Sequence, residues 1–127
     1  MENFTLIKYA INGEVIDIYF MNESNTVWLS QADIATLFGF TLKSANYHIN
    51  KLIKTKNYDF PTIQEIWTVR NEGGRNVSRK IRLYHQKIIE NIGLKKCSKN
   101  YEKIKVFINN YLKQFDKLGV INDNIII

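Results

Sequence analysis

Much of the first thirty residues alternates between apolar and polar positions, the period of two that is typical of strands with one buried face. Apolar residues recur over 6–9 and again over 15–20, and the Asn12-Gly13 pair between them is a favoured two-residue hairpin turn. A third apolar run, 26–29, follows a polar stretch. The pattern predicts three short strands that form a small N-terminal antiparallel sheet and pack against the helices that follow.

From Ser30 onward the apolar spacing becomes helical. The Ser30 hydroxyl is a suitable N-cap, and Gly39 can supply the left-handed backbone that ends a helix. Thr41 can cap a second helix, predicted from Leu42 to about Ile53. Helices joined by so short a turn must approach closely at a small residue, and Ala35 stands at that position. Residues 31–50 therefore have the spacing of a helix-turn-helix.

The second half of the chain predicts a hairpin and two more helices. Strand-like alternation over 63–70 and 76–84 surrounds a glycine turn at 71–74. A short helix is predicted from His85 to Ile92, ended by Gly93, and a longer one from a Ser98 cap to about Phe115. We therefore expect one α+β domain over 1–118, a winged helix-turn-helix with an N-terminal antiparallel β-sheet and C-terminal helices, and a tail at 119–127.

Charge is segregated along the chain. Its net charge is +6, but residues 1–35 carry −4, whereas residues 41–105 hold fifteen Lys and Arg against five Asp and Glu, a net +10. A solvated surface usually mixes its signs, so this distribution favours a polyanionic partner. Double-stranded DNA is the partner we expect.

Several function classes find no support in the sequence. Cys97 is the sole cysteine, so no internal disulfide or cysteine zinc site can form, and no eighteen-residue apolar run is present. The start Met-Glu-Asn-Phe does not have the pattern of a signal peptide, and we do not expect one. His48 and His85 have no metal or nucleophile spacing, and His48 is interpreted as a half-buried core histidine. We expect a cytoplasmic protein that is not an enzyme and has no cofactor, metal or small-molecule substrate.

The second predicted helix would read bases with the residues that face away from Ala45 and Ile49. The expected base-reading residues are Thr41, Leu42, Lys43, Asn46, Tyr47 and Asn50. Lysine suits guanine O6 and N7, asparagine suits adenine N6 and N7, and leucine can contact a thymine methyl. Lys51 and Lys54 lie farther along and suit phosphate. The alternative is an ordinary solvated helix face.

The predicted hairpin would be the wing. Its expected phosphate contacts are Arg70, Arg75, Arg79, Lys80 and Arg82. Arginine suits both phosphate and a narrow minor groove, because its guanidinium is a planar fork of donors. The alternative is that Arg79 and Arg82 pair with acidic residues of the first sheet, which would occupy one or two of the five charges.

A second copy of the chain is another candidate partner. Apolar residues follow one stripe of the last predicted helix: Tyr101, Ile104, Ile108, Tyr111, Leu112 and Phe115. Val106 and Phe107 lie off this stripe, and the Ile125–Ile127 tail adds β-prone surface. The stripe could support a homodimer, or it could pack on the first sheet.

The run from Thr26 to Gly39, Thr-Val-Trp-Leu-Ser-Gln-Ala-Asp-Ile-Ala-Thr-Leu-Phe-Gly, followed by His48-Ile49, resembles the N-terminal domain of the virulence RhuM family. Looser similarity continues at Tyr84, Ile88-Ile89 and the aromatic last helix, over most of residues 3–115. The resemblance implies a phage- or mobile-element-associated DNA-binding helix-turn-helix. Leu42 and Tyr47 replace the arginine and serine typical of the family, and Lys95-Lys96-Cys97 replaces its aromatic-arginine-valine run.

The function expected from the sequence is therefore sequence-specific binding of double-stranded DNA and regulation of transcription of a phage or mobile element. The main alternative is a protein-interaction module that retains the winged fold and uses Tyr47, Trp67 or the last helix. Enzymatic activity is the least favoured hypothesis, since Glu72-Gly73-Gly74-Arg75 is predicted to be a turn and not a phosphate-binding loop.

Overall fold

The computed structural model describes residues 4–96 and 98–118. Nine elements follow one another in the order expected from the sequence, which is confirmed. They are β1 (Phe4–Ile11), β2 (Glu14–Met21), β3 (Thr26–Ser30), α1 (Gln31–Phe38), α2 (Leu42–Lys56), β4 (Ile63–Glu72), β5 (Arg75–His85), α3 (Gln86–Lys96) and α4 (Lys99–Leu118).

All five strands belong to one antiparallel sheet in the order β1-β2-β3-β5-β4. The first three strands form a meander, and the end of β5 returns beside β3, where His85 pairs with Trp28. The sequence predicted a separate small sheet and a hairpin. The structure joins them through β3, a contact between segments more than fifty residues apart.

The main core lies between one face of the sheet and the four helices. Alternation along β2 directs Ile16, Ile18 and Phe20 to this face. The helices supply the matching buried side chains: Ile34, Leu37, Ile49, Leu52, Ile88, Ile89, Ile92, Tyr101 and Ile104. Burial of this apolar surface is the main force that holds the helices on the sheet.

The opposite face of the sheet is covered by the β4–β5 hairpin. Tyr19 and Met21, which alternate with the core residues of β2, form a second buried cluster with Ile66 and Leu83. The sheet therefore curls, and the hairpin leans over the outer face of the N-terminal strands.

Helix α2 is longer than the sequence predicted. It continues past Ile53 to Lys56 and ends at Asn57, whose φ of 48° is left-handed. Asparagine tolerates this conformation better than most residues, because its side chain can hydrogen-bond locally.

The expected helix end at Gly93 is wrong, because α3 runs through this residue to Lys96. Gly93 is buried, and a Cβ at this position would overlap the ring of Tyr101 on α4. The glycine is therefore required by the close approach of two helices, and not by a turn. Glycine at the end of an apolar run is ambiguous between these two roles.

Helix α4 packs its apolar stripe on the chain's own sheet. Tyr101 and Ile104 are buried, and the Tyr111 ring lies 6.0 Å from that of Phe20. Phe107, expected to lie off the stripe, packs with its ring 4.6 Å from that of Tyr9. The described part of the stripe is therefore not a free surface.

The side chains of Leu112 and Phe115 lie outside the described residues, and so does the whole of 119–127, including the Ile125–Ile127 tail. In the part of the chain that the structure describes, none of the helices combines the length and apolar character needed to cross a membrane.

Candidate nucleic-acid interface

Helix α1 begins at a reciprocal pair of hydrogen bonds. The Asp33 backbone N–H donates to Ser30 Oγ at 3.2 Å, and Ser30 Oγ donates to Asp33 Oδ2 at 2.9 Å. The first bond satisfies an amide that has no partner inside the helix. Burial raises the pKa of the Asp33 carboxyl, and the bond from Ser30 partly opposes this effect. The predicted Ser30 cap is confirmed.

The turn between α1 and α2 is built on Gly39, with a φ of 72°. This left-handed backbone lets the Phe40 N–H donate to the Ala35 carbonyl at 2.8 Å, which closes the end of α1. A second tether was not predicted: Gln31 Nε2 donates to the Leu42 carbonyl at 2.9 Å and joins the starts of the two helices. The direction of α2 is thus fixed at its first turn.

Helix α2 has one buried face and one exposed face, as expected. The Ser44 N–H donates to Thr41 Oγ1 at 3.1 Å, which confirms the second cap. Ala45, Ile49 and Leu52 are buried. The residues expected to contact DNA are all exposed. They are Thr41, which caps the helix, and Leu42, Lys43, Asn46, Tyr47, Asn50, Lys51 and Lys54 on α2 itself. At about 100° per residue they cover roughly half of the helix circumference.

The exposed side chains of α2 are partly ordered by one another. Asn50 Nδ2 donates to Asn46 Oδ1 at 3.0 Å, and Lys51 Nζ lies 5.7 Å from the centre of the Tyr47 ring. Tyr47 and Leu42 are 60% and 57% exposed, so the same face also presents apolar surface. The face offers donors, acceptors and apolar contacts together.

His48 lies at the edge of this face and is half-buried, as expected. Its ring stacks on that of Phe40 at 4.8 Å. Burial lowers the pKa of His48, and the nearby ammonium groups of Lys96, Lys95 and Lys51 lower it further. The neutral imidazole is therefore favoured over the cation.

The predicted hairpin is present and closes on Gly73 and Gly74, whose φ values are 60° and 82°. Two consecutive left-handed residues match the twist of the strands and are readily supplied by glycine. The Gly74 N–H also donates to Asn71 Oδ1 at 3.2 Å.

Most hairpin cations have a carboxylate partner, which corrects the expectation that at most two would be paired. Arg79 forms two hydrogen bonds to Glu72, of 2.7 and 2.8 Å. Glu65 lies 3.3 Å from Lys80 and 3.8 Å from Arg82, and Arg70 Nη2 lies 3.6 Å from Asp17 Oδ2. The Arg79 guanidinium lowers the pKa of Glu72. Only Asp17 belongs to the first sheet, and the other partners are in the hairpin itself.

Arg75 differs from the other four cations. It is exposed at the hairpin turn and forms no ion pair with any residue that the structure describes. Strand alternation places it on the same face as Arg70 and Arg79, whereas Lys80 and Arg82 lie on the opposite face. The five expected wing contacts are thus divided between two surfaces.

The opposite face of the hairpin also carries apolar residues. Trp67 and Val69 are 62% and 68% exposed, and Trp67 pairs with Lys80 across the strands. The positions were visible in the sequence. Trp67 and Val69 share a face because they are two residues apart on β4, whereas the register of β4 with β5 decides that Lys80 and Arg82 lie on the same face.

Comparison with protein-family models, with curated proteins and with solved structures gave no match.

Proposed function

We propose that the chain is a winged helix-turn-helix protein that binds double-stranded DNA in a sequence-specific manner. The observation that carries this proposal is the composition of α2. Its exposed face combines lysines with asparagines, and all fifteen residues of the helix include no acidic side chain. A solvated helix face of this length ordinarily contains carboxylates, and their absence favours a phosphate-rich partner.

In this proposal α2 enters the major groove with its first two turns against the base edges. Lys43 contacts guanine, Asn46 or Asn50 contacts adenine, and Leu42 contacts a thymine methyl. Thr41 and Tyr47 border the same surface, and Lys51 and Lys54 meet phosphates. The hydrogen bond between Asn46 and Asn50 supports this role, since it restricts both amides before DNA arrives.

The hairpin acts as the wing, with Arg75 as its main phosphate contact. The paired cations can also take part, because exposed ion pairs are worth only about 0–1 kcal/mol and a phosphate can replace the carboxylate. Arg70 is the weakest candidate, because its partner Asp17 holds it toward the first sheet. The resemblance to the virulence RhuM family supports regulation of transcription of a phage or mobile element.

The test is the salt dependence of duplex binding by fluorescence polarisation. If roughly six to eight cations meet phosphates, the logarithm of the association constant falls with that of salt concentration with a slope of about −5 to −7. A slope near zero, or failure to bind labelled random duplex at low salt, contradicts the proposal.

A second candidate function is favoured by Trp67 and Val69. Both are exposed on one face of β4, which is an edge strand of the sheet. Exposed apolar residues beside an unpaired strand edge are typical of protein-interaction surfaces. This candidate is preferred if the salt titration shows no duplex binding.

A further inference from the structure

A cleft of about 450 Å³ lies between α2 and α3, beside the surface expected to read DNA. His48, Lys51 and Lys56 line it from α2, and Asn91, Lys95 and Lys96 line it from α3. Three of these residues, Lys56, Lys95 and Lys96, were not among the expected contacts. They reach the cleft because α2 and α3 both run past their predicted ends.

The cleft is strongly cationic. Its four lysines face no acidic residue among the described residues that line it. The nearest acidic residue in the sequence of α3, Glu90, pairs with Lys87 at 3.4 Å and does not line the cleft. Four like charges around one cleft repel one another, and a bound anion would offset this repulsion.

Lysines are common in the last turns of helices, where they offset the negative end of the helix dipole. This ordinary role accounts for part of the charge only. The ends of α2 and α3 amount to about half a negative charge each, so together they offset roughly one of the four lysines. Most of the positive charge of the cleft is left over.

Two of the four lysine side chains contact aromatic rings. Lys96 Nζ lies 5.7 Å from the centre of the Phe40 ring, and Lys51 Nζ lies 5.7 Å from that of Tyr47. Phe40 in turn stacks on His48. Such contacts reduce the freedom of long side chains and so lower the entropic cost of binding.

We propose that this cleft binds a phosphate group, held by Lys51, Lys56, Lys95 and Lys96. Two sources supply the same chemistry: the backbone of a duplex that lies on α2, and a free phosphorylated molecule. The site does not depend on base reading by α2, and it stands whichever source is used.

His48 gives the site a spectroscopic reporter. The charged groups that face its imidazole are Lys51 on its own helix and Lys95 and Lys96 on α3, and all three lower its pKa in addition to burial. A bound anion offsets these cations and stabilises the imidazolium. The pKa of His48 therefore rises when the cleft is filled.

The first arm of the test uses inorganic pyrophosphate and follows the His48 ring by NMR at several pH values. In the wild-type protein, saturating pyrophosphate raises the pKa of His48 and changes the NMR chemical shifts of the backbone amides that line the cleft. In the double variant Lys95→Gln/Lys96→Gln, the affinity falls by roughly tenfold or more, because two of the four cations that hold the anion are removed. The matched control is Lys103→Gln/Lys113→Gln, which removes two exposed lysines of α4 and leaves the affinity unchanged.

The second arm measures binding of labelled duplex against salt with the same proteins. If duplex backbone fills the cleft, the slope becomes less steep by about two in the cleft variant and not in the control. If pyrophosphate binds but the slopes agree, the ligand is a free phosphorylated molecule. Thermal melting of each variant checks the fold.

The inference is overturned if the cleft variant and the control agree in both arms. Base reading by α2 then still stands, provided that the wild-type protein binds duplex. Conversely, pyrophosphate binding by a protein that does not bind duplex supports the cleft and contradicts the proposed function.

Discussion

Asn46 and Arg75 represent the two kinds of side chain that duplex recognition requires. Asn46 is exposed on α2 and hydrogen-bonded to Asn50, and under the proposed function its amide would contact a base edge. Arg75 is exposed at the hairpin turn, where a guanidinium can meet a phosphate whatever the sequence of the DNA.

The two residues should therefore respond differently to truncation. We expect Asn46→Ala to cost about 1–3 kcal/mol on a selected site and little on random duplex. Arg75→Ala should weaken binding to the selected site and to random duplex equally, and should make the salt dependence of binding less steep by about one. Fluorescence polarisation with both duplexes measures these effects. If Asn46→Ala weakens both duplexes equally, α2 is not the reading element.

Both histidines make the stability of the fold depend on pH. Burial is the main cause that lowers the pKa of His48 and of His85 from the ordinary value of 6.5. In His85, Nδ1 also accepts the Lys87 N–H at 2.9 Å, and protonation of this nitrogen breaks the bond. The unfolded chain therefore binds these protons more tightly than the folded chain.

The sign of the effect follows from this difference. The histidine contribution to the free energy of unfolding is fully present above 6.5 and is lost as the pH falls toward the lower folded-state pKa values. We expect urea denaturation to show this loss in the wild-type protein. The loss should be smaller in His48→Gln/His85→Asn, in which asparagine can still accept the Lys87 N–H. If the free energy of unfolding changed with pH equally in both proteins, the pH dependence could not be assigned to the two histidines.

At the scale of elements, the contact of α3 with α4 depends on Gly93. Replacement of glycine by alanine inside a helix normally stabilises it by about 0.5–1 kcal/mol. Here the added Cβ would overlap the buried ring of Tyr101, and the clash involves Cγ, close to the α4 backbone. Helix α4 would have to move.

We therefore expect Gly93→Ala to destabilise the protein by about 1–3 kcal/mol, as overpacking of a core does. Lys95→Ala is the matched control in α3, because Lys95 is exposed and a change there should stay within about 0.5 kcal/mol. Thermal denaturation of the two variants measures the difference. A stabilised Gly93→Ala variant would show that the two helices are not held so closely.

The elements themselves were largely predictable because their ends are defined locally. Ser30, Gly39 and Thr41 mark their helix ends through bonds to residues no more than four positions away. The exposed face of α2 was predictable for the same reason, because it follows from the helical spacing of Ala45 and Ile49. Prediction from local pattern failed at Gly93, because the reason for that glycine is a ring on another helix.

Contacts between distant segments were not predictable. The ion pair of Arg70 with Asp17 requires the sheet to curl, and the pairing of β3 with β5 requires the whole α1–α2 segment to fold back. Neither leaves a pattern in neighbouring residues. The number of unpaired cations in the hairpin was therefore overestimated.

At the scale of the whole molecule, α4 bears on assembly. The stripe residues that the structure describes, from Tyr101 to Tyr111, already pack against the core, so this part of the stripe offers little surface to a second copy. Val106, which is exposed, is too small a surface to hold a dimer by itself. We therefore expect the free chain to be a monomer and any pairing to occur on DNA.

Sedimentation at tens of micromolar tests this expectation, with a mass of 15.0 kDa for the monomer. A chain that lacks 120–127 is the matched comparison, since the apolar tail is the other candidate for pairing. A species of twice the monomer mass would contradict the expectation. If the shortened chain were then monomeric, the tail would be the contact.

The position of β5 between β3 and β4 has a consequence for how the chain folds. Ser30 and Gln64 both pair with Leu83, one on each side. Adjacent strands lie about 4.8 Å apart, so the segment carrying α1 and α2 leaves and re-enters the sheet at points roughly 10 Å apart. The β1–β2 and β4–β5 hairpins are local and can form early, whereas β3 reaches β5 only after a long loop closes. Because pairing of α1 with α2 shortens that loop, changes at Gly39 should slow folding, and stopped-flow refolding of a Gly39→Ala variant would measure the effect.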